Sequence, residues 1–168
     1  APLAKDLVLQ ILALDSPEQQ KAVLQIPSPA EAPVDLIFEL KRAVFLGPEA
    51  VTTYFKDSGR LLFETVPSEA LIDLTRVAMD QGSKDAVSKL LPGLLVRSVG
   101  DASYQERLAI QAASMAAYSF LGDDTRAAAQ FDRMMKLFDV ESVQGQDEAI
   151  TSALTFWLMK SGQPGFIA

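Results

Sequence analysis

Four glycines divide this chain at nearly even intervals: Gly47, Gly82, Gly122 and Gly162 lie 35, 40 and 40 residues apart. Each ends an apolar segment with helical periodicity, and the first three also open another. A fixed period of this size predicts stacked helix pairs, because one pair cannot bury its apolar face alone and needs neighbours on either side. The expected fold is therefore all-α, with antiparallel helix pairs stacked as a short right-handed α-solenoid. The alternative is an irregular helical bundle in which glycine merely tolerates the left-handed cap at helix ends.

At 168 residues the chain is long enough to bury a core without a disulfide or a metal, and one domain spanning 1–168 is the default expectation. There is no Cys and no His, which excludes disulfide scaffolds and Cys or His metal sites. The formal charge is −7, with acids and bases scattered along the chain. A nucleic-acid partner is not expected, since a duplex binder needs a positive face to displace counterions. No apolar run reaches the ~20 residues of a membrane span. The opening Ala1-Pro2-Leu3 fits either a chain trimmed after a signal peptide or a fragment, and the lack of Cys and Asn leans toward an exported bacterial-type protein.

Helix signals recur along the whole length. Leu3–Leu14 and Ser16–Gln25 form a first short pair, followed by a proline-rich connector at 26–33 that is the expected internal seam. Next come helices over Val34–Leu46 and Glu49–Lys56, with Ser58-Gly59 as an interruption before Arg60–Thr65. Pro67–Gln81 is strongly amphipathic, and Ser83–Leu91 follows until Pro92-Gly93 breaks or kinks it. Ser103 with Glu106 makes a capping box for a helix to Leu121, and Asp123 or Asp124 caps the next one, to about Asp139. Glu148–Ser161 is the last long helix, before a Gly162-Gln163-Pro164-Gly165 turn and an apolar tail.

Tyr118, Gly122, Ala127 and Phe131 stand at offsets that resemble the central part of a tetratricopeptide repeat. There an aromatic packs under the turn, a glycine makes it, and a small residue then an aromatic face back across the pair. Where that repeat carries Trp, Leu and Gly near its start, this chain has Gln111, Ser114 and Met115, and Met134 stands where a small residue is usual. Aligning the other glycines puts Ala43, Ala78 and Leu158 at the Tyr118 position.

The resemblance implies a concave groove lined by the first helix of each pair. By that analogy its open positions are Lys41, Val44 and Phe45; Ile72, Arg76 and Met79; Ala112, Ala116 and Phe120; and Ser152, Phe156, Met159 and Lys160. The expected partner-binding residues are Lys41, Phe45, Arg76, Met79, Phe120, Phe156, Met159 and Lys160. Flexible Met and flat aromatics suit adaptable contact with a peptide or helix, and the cations suit a carboxylate. The asparagine of a carboxylate clamp is missing, since the chain has no Asn. Core packing is the competing account of each of these side chains. Trp157 and Phe156 are adjacent and point about 100° apart on a helix, so one packs inward. The other meets the Phe166-Ile167 tail or forms a homo-oligomer contact.

Catalysis finds little support. Without His there is no Ser-His or Cys-His arrangement. No Ser-x-x-Lys and no Gly-x-Gly occurs. Asp123-Asp124 is an adjacent carboxylate pair, but helix capping accounts for both. The expected function is a non-catalytic, cofactor-free interaction or assembly scaffold that binds a protein segment in a groove. A helical carrier enclosing a hydrophobic small molecule is the alternative, and an enzyme using carboxylates alone is the third.

Overall fold

The computed structural model describes residues 35–138, which form six α-helices with no strand among them. The chain divides into two compact units, Ala1–Val66 and Pro67–Ala168. The proline-rich 26–33 and the helices expected before it and after about Asp139 lie outside the described residues.

In the first unit, α1 (Leu36–Leu46) packs against α2 (Pro48–Thr65). The Asp35 side chain caps α1 by accepting from the Phe38 N–H at 3.1 Å. Leu40, Ala43 and Val44 recur at helical spacing and are buried. Gly47, at φ 109° and ψ −176°, joins the two helices, and Pro48 opens α2 at its first position. That backbone region is essentially restricted to glycine. Proline suits the first helical position because its missing N–H would have no intrahelical partner there.

α2 runs unbroken to Thr65, which corrects the interruption expected at Ser58-Gly59. Glycine inside a helix costs only about 1 kcal/mol relative to alanine, and the buried stripe Val51, Tyr54 and Leu62 outweighs it. Gly59 is itself buried, and a Cβ there would approach Phe55 Cδ1 at 3.0 Å. The glycine thus gives room to a ring that also meets Tyr54 edge to face at 5.5 Å.

Tyr54 donates its hydroxyl hydrogen to the Leu36 carbonyl at 2.7 Å, tying α2 to the start of α1. Burial first, then the charges of Glu39 and Asp35, push this hydroxyl well above its ordinary range. The unfolded chain therefore releases the proton first. Stability from this group is complete below about pH 10 and falls by up to about 1.4 kcal/mol per pH unit above it. Urea unfolding of wild type and Tyr54→Phe should show the wild-type advantage shrinking as the pH rises past about 10. A constant gap would remove this assignment.

The second unit contains α3 (Ser68–Asp80), α4 (Lys84–Arg97), α5 (Tyr104–Leu121) and α6 (Asp124–Phe138). α3 and α4 form one hairpin, and α5 and α6 form another. Arg97 at the end of α4 donates to Ser68 Oγ at the start of α3, 3.4 Å away. Tyr104 at the start of α5 donates to the Leu137 carbonyl near the end of α6, at 3.3 Å. Ser83 caps α4 through the Ala86 N–H, Ser103 caps α5 through the Glu106 N–H, and Asp123 caps α6 through the Arg126 N–H.

α5 is the centre of this unit and packs against α3, α4 and α6. Ten consecutive residues, Ile110 to Ser119, are all buried. A helix apolar or small on every side is one surrounded by neighbours. α4 runs through Pro92-Gly93 without a break, so of the break or kink expected there the break does not occur. Pro92 lies on the exposed face, so the Ser88 carbonyl, whose donor would have been the N–H of residue 92, faces the solvent side rather than the core.

Candidate binding site

The turn of each hairpin in the second unit is built the same way, 40 residues apart. At Gly82 (φ 70°) the Ser83 N–H donates to the Ala78 carbonyl at 2.8 Å and the Gly82 N–H to the Met79 carbonyl at 2.9 Å. At Gly122 (φ 85°) the Asp123 N–H donates to the Tyr118 carbonyl at 2.9 Å and the Gly122 N–H to the Ser119 carbonyl at 3.0 Å. Both are Schellman caps, in which a left-handed glycine lets two orphan carbonyls be satisfied. The next residue then caps the following helix from the same offset, Ser83 in one and Asp123 in the other.

The sequence-expected contact residues divide between the units. Lys41 and Phe45 are half-buried on α1 of the first unit. In the second unit Arg76 is exposed on α3 and paired with Asp73 at 2.6 Å, Met79 is half-buried on the same helix, and Phe120 is half-buried on the neighbouring α5. Phe156, Met159 and Lys160 lie outside the described residues, as do Ser152, Trp157 and the tail. Three further positions read as open by analogy are in fact covered: Val44 is 7% exposed, Ala112 0% and Ala116 5%. For the two alanines the cause is the number of helices around α5.

An open cavity of about 470 Å³ lies elsewhere, between α4 and the α5–α6 turn, and none of the expected contact residues lines it. Leu91, Pro92 and Leu95 of α4 and Leu121 of α5 form its apolar wall. Ser88, Tyr118, Asp123 and Arg126 supply its polar atoms. Asp123 accepts from the Arg126 N–H at 3.1 Å and meets its guanidinium at 3.4 Å, which holds that cation 5.9 Å from the centre of the Tyr118 ring. Asp123 thus works as a cap and an ion-pair partner, and among the described residues it is the one carboxylate in the cavity wall.

Sequence reading alone did not find this place. Its signal was the stripe Ser88, Pro92, Leu95 at helical spacing, which places the proline and a leucine on one side of α4. Among the described residues no group of three carboxylates is placed to hold a metal, and no helix is long and apolar enough to cross a membrane.

The interior of the second hairpin is unusually polar. Gln111 Oε1, Ser114 Oγ and Gln130 Oε1 are buried with no hydrogen-bond partner. Shifted back by the 40-residue offset, they fall on Leu71, Leu74 and Leu90, all three fully buried in the first hairpin. Comparison with known proteins adds no relative: no family model, curated protein or solved structure matches the chain.

Proposed function

We propose that this chain is a helical-repeat interaction module, its helix pairs stacked as a short right-handed α-solenoid that binds a partner protein segment without chemistry or cofactor of its own. The observation that carries this reading is the recurrence of one turn geometry at Gly82 and Gly122 with the following cap in register. The packing order supports it too. Within the second unit α5 lies against α3, α4 and α6, so this one first helix rests on the whole preceding pair. The cavity beside α4 is open and carries an ion pair at its wall, which favours a surface contact over an enclosed hydrophobic cargo.

The groove side of such a stack is formed by the first helices, here α3 and α5 in the second unit. Arg76, Met79 and Phe120 are its accessible contact residues there, with Lys41 and Phe45 as their counterparts on α1. Affinity capture from the native source, read by mass spectrometry, tests this. Arg76→Ala and Phe120→Ala together should release the captured partner while the circular dichroism stays helical. Capture that is unchanged by both substitutions would remove the groove from the proposal.

A further inference from the structure

We infer that α6 is a strap that opens from the second unit as one piece, hinged at Gly122, while α3, α4 and α5 stay packed. The seam that parts lies between α5 and α6. Arg126 of α6 stands 5.9 Å from the centre of the Tyr118 ring of α5, so these two positions face each other across the pair. One helical turn further from Gly122 on each helix, the same stripes carry Ser114 and Gln130, and Gln111 follows Ser114 by another turn. Ser114 Oγ, Gln130 Oε1 and Gln111 Oε1 are all buried without a hydrogen-bond partner, on residues 0%, 5% and 8% exposed. Each such atom gives up water when the seam closes, gains no partner in exchange, and recovers water when it opens. Closure is therefore weakest in the middle of this interface. At the same offsets 40 residues earlier the first hairpin has Leu71, Leu74 and Leu90, which carry no such penalty.

Packing points in the same direction. Among the described residues α6 rests chiefly on α5 alone, whereas α3 and α4 each rest on two helices and α5 on three. Its buried apolar side chains are Ala127, Phe131 and Met134, against Ala86, Val87, Leu90, Leu91 and Leu94 on α4. Elements with few buried apolar contacts are those that open below the free energy of global unfolding. At one end of the strap the left-handed Gly122, at φ 85°, gives the backbone its freest joint. At the other, the Tyr104 hydroxyl fastens it by donating to the Leu137 carbonyl at 3.3 Å. Opening bares the Gln111-Ser114-Tyr118 stripe of α5.

Native-state hydrogen exchange of the whole chain in low urea, read amide by amide by NMR, tests this. Amides of α6 should exchange well ahead of those of α3 and α4 and with a shallower urea dependence, since the opening exposes less surface than unfolding of the unit. Tyr104→Phe removes the fastening bond and should speed α6 exchange about fivefold. Gln130→Leu should slow it by at least about fivefold. Val87→Ala, in the core of α4, should speed exchange in α3 and α4 and leave α6 unchanged, because the opened state keeps that core. One shared rate and urea dependence for α3, α4 and α6 would mean that the helix leaves only with the whole unit, and the strap is overturned. Faster α6 exchange in Gln130→Leu overturns it too, because the amide then holds the seam shut. Capture through Arg76 and Phe120 is a separate measurement, so either result leaves the module reading to be judged on its own.

Discussion

Leu71→Gln should lower stability by about 3–5 kcal/mol, whereas Gln111→Leu should raise it by about 1–3 kcal/mol. The two positions are 40 residues apart and hold the same place in successive hairpins, on α3 and α5. Leu71 is 0% exposed, so the first change forfeits the transfer energy of a buried leucine, about 1.5–3 kcal/mol. It also buries an amide without a partner, about 1–3 kcal/mol more on protein mutational scales. At Gln111 that second cost is already present, since its Oε1 is buried and unbonded. Leucine removes it at similar volume, and replacing an unpaired polar group by an apolar one of the same shape stabilises. Gln130→Leu repeats the argument on α6 against Leu90 of α4. Urea unfolding at neutral pH measures all three. A loss of stability in both glutamine variants would mean that ordered water satisfies these oxygens and that the second hairpin is no weaker than the first.

This asymmetry shows what could be read from the chain beforehand. The glycine spacing gave the helix ends, because a left-handed cap leaves a local mark that needs no tertiary knowledge, and the capping pairs at Ser103 and Asp123 are equally local. The interruption expected at Ser58-Gly59, and the break that was one of two outcomes expected at Pro92-Gly93, did not occur for the converse reason. A glycine under Phe55 or a proline on an exposed face is decided by what surrounds the helix, which local signals omit. Ala112 and Ala116 failed as groove positions on the same ground. A clue was present in the uncharged run from Leu108 to Gly122, which marks a helix with no solvent face. The Gln111 and Ser114 departures from the repeat pattern were visible too, although only burial reveals what they cost.

Pro92→Ala should raise stability by about 1–3 kcal/mol. Alanine supplies the N–H that the Ser88 carbonyl lacks, closing one more turn of α4, and proline in a helix interior stands about 3 kcal/mol below alanine in propensity. The gain is smaller than that full difference because the carbonyl is on the solvent side and water already reaches it. The proline ring also leaves the apolar wall of the cavity, a small loss at an exposed position. Thermal unfolding reads this effect, and the amide spectrum of α5 shows whether its packing holds. If Pro92 only bends α4 to fit its neighbours, alanine should destabilise the unit and disturb amides throughout α5. If the ring is only tolerated on the solvent side, the helix should tighten and α5 should stay in place.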